Sequence, residues 1–204
     1  LVACEESQAV TKAFRAKGHE AYSCDILDCS GGHPEWHIKA DVLTILNDGW
    51  DMMIGHPSCR DMTNAGVRWL YHPEDTKLPQ NLRRRHPKYP LRMHDLIKGI
   101  DFFLTLWHSD IEKICLESSQ PHGLAMSLIG KYTQKIQPWM FGAPFTKGAC
   151  LWTRNLKNLV PTHKKSDYKE ITAKCHLEPP GPDREKNRAK TEPEVARAFA
   201  NQWG

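Results

Sequence analysis

Cys59 lies in the run Asp51-Met52-Met53-Ile54-Gly55-His56-Pro57-Ser58-Cys59-Arg60, where an apolar stretch breaks into a turn shaped by Gly55 and Pro57. A thiol in a turn just past a buried strand is well positioned as a nucleophile. Glu117 closes the apolar run Lys113 to Leu116, at the corresponding edge of the same sheet. A thiolate and a carboxylic acid facing one pocket suit attack on C6 of a pyrimidine. Sulfur adds at C6, a proton delivered to N3 stabilises the adduct, and C5 becomes nucleophilic enough to take a methyl group from a sulfonium. The competing reading of Cys59 is a buried structural thiol, since free cysteine is often buried.

Three more acids, Glu5, Asp25 and Asp41, fall after strand-like runs, where open α/β sheets bind ligands. A carboxylate after the second strand is placed for a ribose hydroxyl pair, and one after the third for an adenine amino group. The first turn, Cys4-Glu5-Glu6-Ser7-Gln8, lacks the glycines that a pyrophosphate needs for close backbone approach. It excludes a dinucleotide and suits a nucleoside without phosphates, such as S-adenosylmethionine. Ordinary strand-end turns are the competing reading. Cys24, Cys29, His33 and His37 form a C-x4-C-x3-H-x3-H run with the ligand types of a tetrahedral zinc site. Cys24 precedes Asp25, however, and is expected to point into the sheet, so a cofactor-side loop is the preferred reading and no metal is expected.

These residues need elements to hold them. Leu1 to Cys4 reads as the end of a buried strand, and Ala9, Val10, Ala13 and Phe14 recur at helical spacing between Ser7, a cap, and Gly18, a stop. Further strands are expected at His19 to Cys24, Lys39 to Leu43, Trp50 to Ile54 and Lys113 to Leu116, with helices at Ile97 to Trp107 and Pro193 to Trp203. Strands separated by helix-length segments predict a doubly wound, mostly parallel α/β sheet in a single domain, residues 1–204. Residues 71–93, punctuated by Pro73, Pro79, Pro87 and Pro90, predict a long exposed loop. Within it Arg83, Arg84, Arg85 and Lys88 form a basic cluster with no acid between them, either a solvated face or an arm on nucleic-acid phosphates. A second Pro- and Lys-rich stretch covers residues 161–187.

Composition limits the rest. The chain has 204 residues, enough for one full core. Nothing approaches the eighteen or so consecutive apolar residues of a membrane span. No signal segment opens the chain, which starts inside a strand-like run, so a few residues are expected to precede Leu1. Seven cysteines, an odd number, argue against a secreted disulfide framework and for a reducing cytoplasm. A net charge of +4 permits a polyanionic partner.

The ordered set of segments resembles the small, phage-type relatives of the DNA (cytosine-5) methyltransferases over nearly the whole chain. Val2 to Gln8 resembles their cofactor-loop motif, and Ala40-Asp41-Val42-Leu43 the motif whose acid meets the adenine while the next apolar residue packs on the ring. Gly55-His56-Pro57-Ser58-Cys59 with Thr63 to Trp69 resembles the nucleophile motif, and Leu116-Glu117 the Glu-Asn motif. Ile136 to Trp139, Cys150 to Trp152 and Ala200 to Gly204 resemble later motifs. The resemblance implies a Rossmann-like fold of the S-adenosylmethionine-dependent methyltransferase type, S-adenosylmethionine as cofactor and DNA as partner, with a phage-encoded protein acting in its host's cytoplasm. It implies Cys59 and Glu117 as catalytic residues, with Arg154 either at the bound cytosine or a surface residue. Cys4, Glu5, Ser7, Asp25, Ile26, Asp41, Val42, His56 and Pro57 are implied at the cofactor. Arg60, Arg68, Arg83, Arg84, Arg85 and Lys88 are expected on the nucleic acid. The chain departs from the pattern at Ser58, where a second proline is usual, and at Ser118-Ser119, where Asn-Pro is usual. Residues 161–187 stand in place of a large target-recognition domain. The alternatives are a non-catalytic nucleic-acid or partner-binding protein, and an enzyme that modifies a free cytosine nucleotide.

Overall fold

Successive side chains of an extended strand point to opposite faces, so a strand buried on both sides reads as an unbroken apolar run. Met53, Ile54, Ile114, Cys115, Leu116, Cys150, Leu151 and Trp152 are such residues, all essentially inaccessible to solvent. The computed structural model describes residues 1–173, 177–182 and 184–204. Its strands are β1 (Val2–Ala3), β2 (Ser23–Asp25), β3 (His37–Lys39), β4 (Met52–Gly55), β5 (Lys113–Ser118), β6 (Gln134–Ile136) and β7 (Ala149–Arg154). They form one sheet in the order β3-β2-β1-β4-β5-β7-β6. The strands from β1 to β5 run parallel, and β7 runs antiparallel to both β5 and β6.

Helices cover both faces. They are α1 (Ala9–Arg15), α2 (Asn64–Val67), α3 (Arg92–Trp107), α4 (Gly123–Ile129), α5 (Arg184–Ala189) and α6 (Pro193–Trp203). Val2, Ile54, Cys115 and Leu151 pack against Val10 and Phe14 of α1 and Val195 and Phe199 of α6. Ala3, Met53, Ile114, Leu116 and Trp152 pack on the other face against Leu96, Ile100 and Phe103 of α3 and Ala125 and Ile129 of α4. Burying a side chain such as Phe103 or Phe199 contributes about 1.5–3 kcal/mol over leaving it exposed. The doubly wound α/β expectation therefore holds. Among the described residues no helix is long and apolar enough to cross a membrane.

Several expected boundaries move for physical reasons. The third strand is His37–Lys39 rather than 39–43, because the Asp41 side chain accepts from the Leu43 amide and turns Val42–Thr44 into a 3-10 helix. Ser7 does not cap α1. Gln8 is the N-cap, in a left-handed conformation at φ 56°, and the orphan amides of Val10 and Thr11 donate to the Glu5 carboxylate at 2.6 and 3.2 Å. Residues 71–93 are not a loose loop. Two 3-10 turns, Pro73–Lys77 and Gln80–Leu82, fold them back, Asp75 and His86 are buried, and α3 already starts at Arg92. In the 161–187 stretch, Phe145 bridges to Thr172 and Lys165–Asp167 forms a 3-10 turn. Residues 174–176 and 183 of that stretch lie outside the described residues.

Candidate functional site

The strand order reverses direction between β1 and β4: β2 and β3 extend one way from β1, and β5 the other from β4. At such a switch point the connections leave in opposite directions and open a crevice beyond the carboxyl ends of the strands. Cys4 and His56 are the residues that follow β1 and β4 there.

On the β1–β2 side, Cys4 adopts φ 59°, a left-handed conformation that is uncommon for a residue with a Cβ. The first turn thus takes a glycine-like path without a glycine. Burial, together with the charges of Asp25 and Asp41, pushes the Cys4 thiol up to about 12, so these carboxylates flank a neutral thiol. One oxygen of Asp25 accepts from the Leu27 amide at 2.9 Å, and one of Asp41 from the Leu43 amide at 3.0 Å. Among the described residues the second oxygen of each carboxylate accepts no hydrogen bond. Ile26 is 71% exposed beside Asp25 and is free to cover an apolar ring.

Two assignments on this side are corrected. Glu5 is buried, and its carboxylate is consumed by Val10, Thr11 N and Thr11 Oγ1 at 2.6 to 3.2 Å, so it caps α1 instead of meeting a ligand. Val42 is buried in the core, which leaves little of it open to a bound ring. Leu43, 41% exposed and missed by the sequence reasoning, is the apolar side chain next to Asp41 that is open to one. Ser7 lines a cleft of about 680 Å³ between the start of α1 and the segment before α6, with Lys12, Asn187, Arg188 and Lys190.

On the β4–β5 side, Gly55 pairs with Leu116, which sets His56 beside Glu117. His56 Nδ1 and Glu117 Oε2 lie 3.0 Å apart. Burial pulls the imidazole down, and the hydrogen bond and charge of Glu117 more than offset it, so the His56 pKa rises above its ordinary 6.5. Glu5 adds to the rise and Lys147 opposes it. His56 Nε2 is buried without a hydrogen-bond partner among the described residues. His56, expected at the cofactor, is held by Glu117 through Nδ1. Pro57 is buried behind it.

Cys59 follows three residues later with a free, half-buried thiol. Its carbonyl accepts from the Met62 and Thr63 amides, Met62 is anchored in the core, and Met62 O accepts from His122 N across the loop that follows β5. Thr63 also bridges to Pro121. A Cβ on Gly66 would stand 2.4 Å from the Arg60 carbonyl, so this turn closes only around a glycine. The nucleophile candidate therefore sits on a loop stitched to the segment that carries Glu117. Ser58 is exposed, and Ser118 is buried with its hydroxyl donating to the Ser119 carbonyl at 3.0 Å.

Arg154 is not at this site. Because β7 is reversed, Arg154 pairs with Ile114 near the start of β5, while Leu151 pairs with Glu117. Its guanidinium donates to the carbonyls of Trp107, Ser109 and Ile111 at the end of α3. It closes a helix terminus.

The basic residues divide. Arg84 is neutralised by Asp75 at 2.7 Å and Glu74 at 3.1 Å, acids that precede it by nine and ten positions, and it holds the Asp75 carboxyl down to about 2. Arg83 donates to the carbonyls of Leu78 and Thr76. Arg68, Arg85 and Lys88 are exposed, as is Arg60, whose guanidinium lies 3.7 Å from Asp61. The C-x4-C-x3-H-x3-H residues do not converge. Cys24 donates to Ala40 O, Cys29 to Gln8, His37 bonds Ser23 and Leu27 O, and His33 stacks on Trp36. Among the described residues no three His, Cys, Asp or Glu side chains are grouped to hold a metal ion.

No protein-family model matches the chain. No curated protein matches it either.

Proposed function

We propose that this chain transfers a methyl group from S-adenosylmethionine to C5 of a cytosine in DNA, with Cys59 as nucleophile and Glu117 as acid. The observation that carries the reading is the His56–Glu117 hydrogen bond of 3.0 Å at the carboxyl ends of β4 and β5, on the edge from which the Cys59 turn departs. The reversal of strand order beside it supports a nucleoside crevice between β1 and β4. The β3-β2-β1-β4-β5 core, with a reversed β7, is consistent with a fold of the methyltransferase type.

The residues present suit the cofactor. Asp25 and Asp41 each keep one carboxylate oxygen for a donor, and Ile26 and Leu43 offer apolar cover. When bound, the sulfonium supplies an electrophilic methyl group. Cys59 gives up its thiol proton to water and adds to C6, forming the S–C6 bond while the ring electrons move toward N3. Glu117 delivers a proton to N3, and the His56 Nδ1 proton lies next in line behind it. C5 would then accept the methyl group as its bond to the sulfonium breaks, the cofactor leaving as a neutral thioether. Loss of the C5 proton to water, departure of the Cys59 sulfur and return of the N3 proton to Glu117 restore the neutral aromatic ring. A cytosine inside a duplex must leave the stack first, because C5 and C6 are not attackable there.

One observation favours a binding role without transfer: Ser118 spends its hydroxyl on the Ser119 carbonyl and offers no amide to a base. Cofactor labelled in its methyl group, incubated with DNA or with deoxycytidine monophosphate, separates the readings. Label in DNA cytosine supports the proposal. Label in the nucleotide alone moves the substrate to the free base, and label in neither, with calorimetry showing the cofactor bound, supports the binding role.

A further inference from the structure

The positive charge of this chain is concentrated. Residues 60–92 hold eight Lys and Arg against three Asp and Glu, a net +5, which leaves the remainder at −1 within a total of +4. All three acids in that segment are committed locally, Asp61 to Arg92 and Glu74 and Asp75 to Arg84. Arg68, Arg85 and Lys88 stay exposed. A polyanion is the partner this charge fits.

The aromatic residues select among polyanions. The segment has one tryptophan and two tyrosines, and each carries a cation: Arg68 over Trp69 at 4.6 Å, Arg83 over Tyr71 at 5.6 Å and Lys88 over Tyr89 at 5.6 Å. Trp69, His86 and Tyr89 pack together with centroids 5.2 to 5.3 Å apart, and Tyr89, 39% exposed, is the outermost. Phosphate contacts with a duplex need cations alone, since its bases are stacked inside. An open ring packed against Trp69 and His86, with cations beside it, suits unpaired bases, which stack on aromatic side chains while cations track the backbone.

We infer that residues 68–89 form a docking surface for single-stranded DNA, with Tyr89 stacking on a base and Arg85 and Lys88 on the flanking phosphates. The surface continues directly from the Cys59 turn through Thr63 and α2. The inference rests on the methyl-transfer reading for the identity of the polymer, and deepens it by naming the strand state of the substrate. A single strand already exposes C6, so no unstacking has to be driven at Cys59.

Anisotropy titrations of a labelled single strand, its duplex and an RNA of the same sequence test it without cofactor or turnover. Wild type binds the single strand tighter than the duplex. Tyr89→Ala weakens single-strand binding by roughly tenfold to a hundredfold, Tyr89→Phe restores it, and duplex binding changes little. The double variant Arg85→Ala, Lys88→Ala lowers the single-strand salt slope by about 0.7 per lost phosphate contact. Tighter duplex binding, tighter RNA binding, or equal losses on both strand states in Tyr89→Ala overturns the inference. A single-strand preference in a protein that labels no DNA counts against methyl transfer and leaves this surface standing. Methylation of duplex without a single-strand preference does the reverse.

Discussion

Replacing Glu117 by Gln removes the negative charge from the His56 pair while leaving an acceptor of nearly the same shape. In the native protein the His56 pKa lies above 6.5, because the hydrogen bond and charge of Glu117 outweigh burial. A raised folded-state pKa contributes stability that is fully present below the unfolded value near 6.5 and is lost as pH rises through the folded value. Both side chains are mostly shielded from solvent, so screening does not erase the effect. A hydrogen bond to a charged group contributes about 1.5–3 kcal/mol, and a neutral one about 0.5–1.5. Glu117→Gln should therefore destabilise the protein by about 1–1.5 kcal/mol at pH 5.5 and by less at pH 9. Urea denaturation at the two pH values reads the difference. Proton and nitrogen NMR of the imidazole reads its cause, with the His56 pKa falling below 6.5 in the variant, where burial is left with weaker opposition. Equal destabilisation at both pH values, or an unmoved imidazole titration, would refute the ion-pair account of this site.

The other predictions concern the remaining site assignments. Asp41→Ala should weaken S-adenosylmethionine binding by about 1–3 kcal/mol in calorimetry, the cost of losing a buried hydrogen bond to the ligand. Arg154→Ala should lower stability by about 1–3 kcal/mol by freeing the carbonyls at the end of α3, with the rate of methyl transfer per folded molecule unchanged. Glu5→Gln should cost about 1–2 kcal/mol in thermal denaturation, because an amide nitrogen then faces the Val10 and Thr11 donors. Brief alkylation at pH 8 followed by peptide mapping should modify Cys59 and spare Cys4 and Cys24, whose thiols are pushed up to about 12 and 11.

The edge of the sheet was legible because strand ends follow from apolar runs, and an acid or thiol just past such a run must lie at the carboxyl side. That logic placed Glu117, Cys59 and Asp25; Asp41, expected inside a strand at 39–43, lies two residues past β3. It failed where a side chain folds back on its own backbone. Nothing in Cys4 to Gln8 announces that Gln8 turns left-handed and brings the α1 amides onto Glu5. The 3-10 turn set off by Asp41 likewise buries Val42 and exposes Leu43. Arg154 was misplaced because residue types do not reveal that β7 runs backwards, which carries its last residue to the far edge. The pairing of Arg84 needed two turns between it and Glu74, beyond the reach of local charge counting. His56 was the residue most open to a better reading. A titratable side chain directly after β4 faces whatever follows β5, and the parallel register alone sets it beside Glu117.

The central claim is that Cys59 attacks C6 of a cytosine. DNA carrying 5-fluorocytosine tests it directly, because fluorine at C5 blocks the proton loss that releases the sulfur. With S-adenosylmethionine present, wild-type protein should form a covalent adduct that survives denaturation, with the cross-linked peptide mapping to Cys59, and Cys59→Ala should form none. An adduct that persists in Cys59→Ala, or a methylated cytosine product made by that variant, would contradict the account.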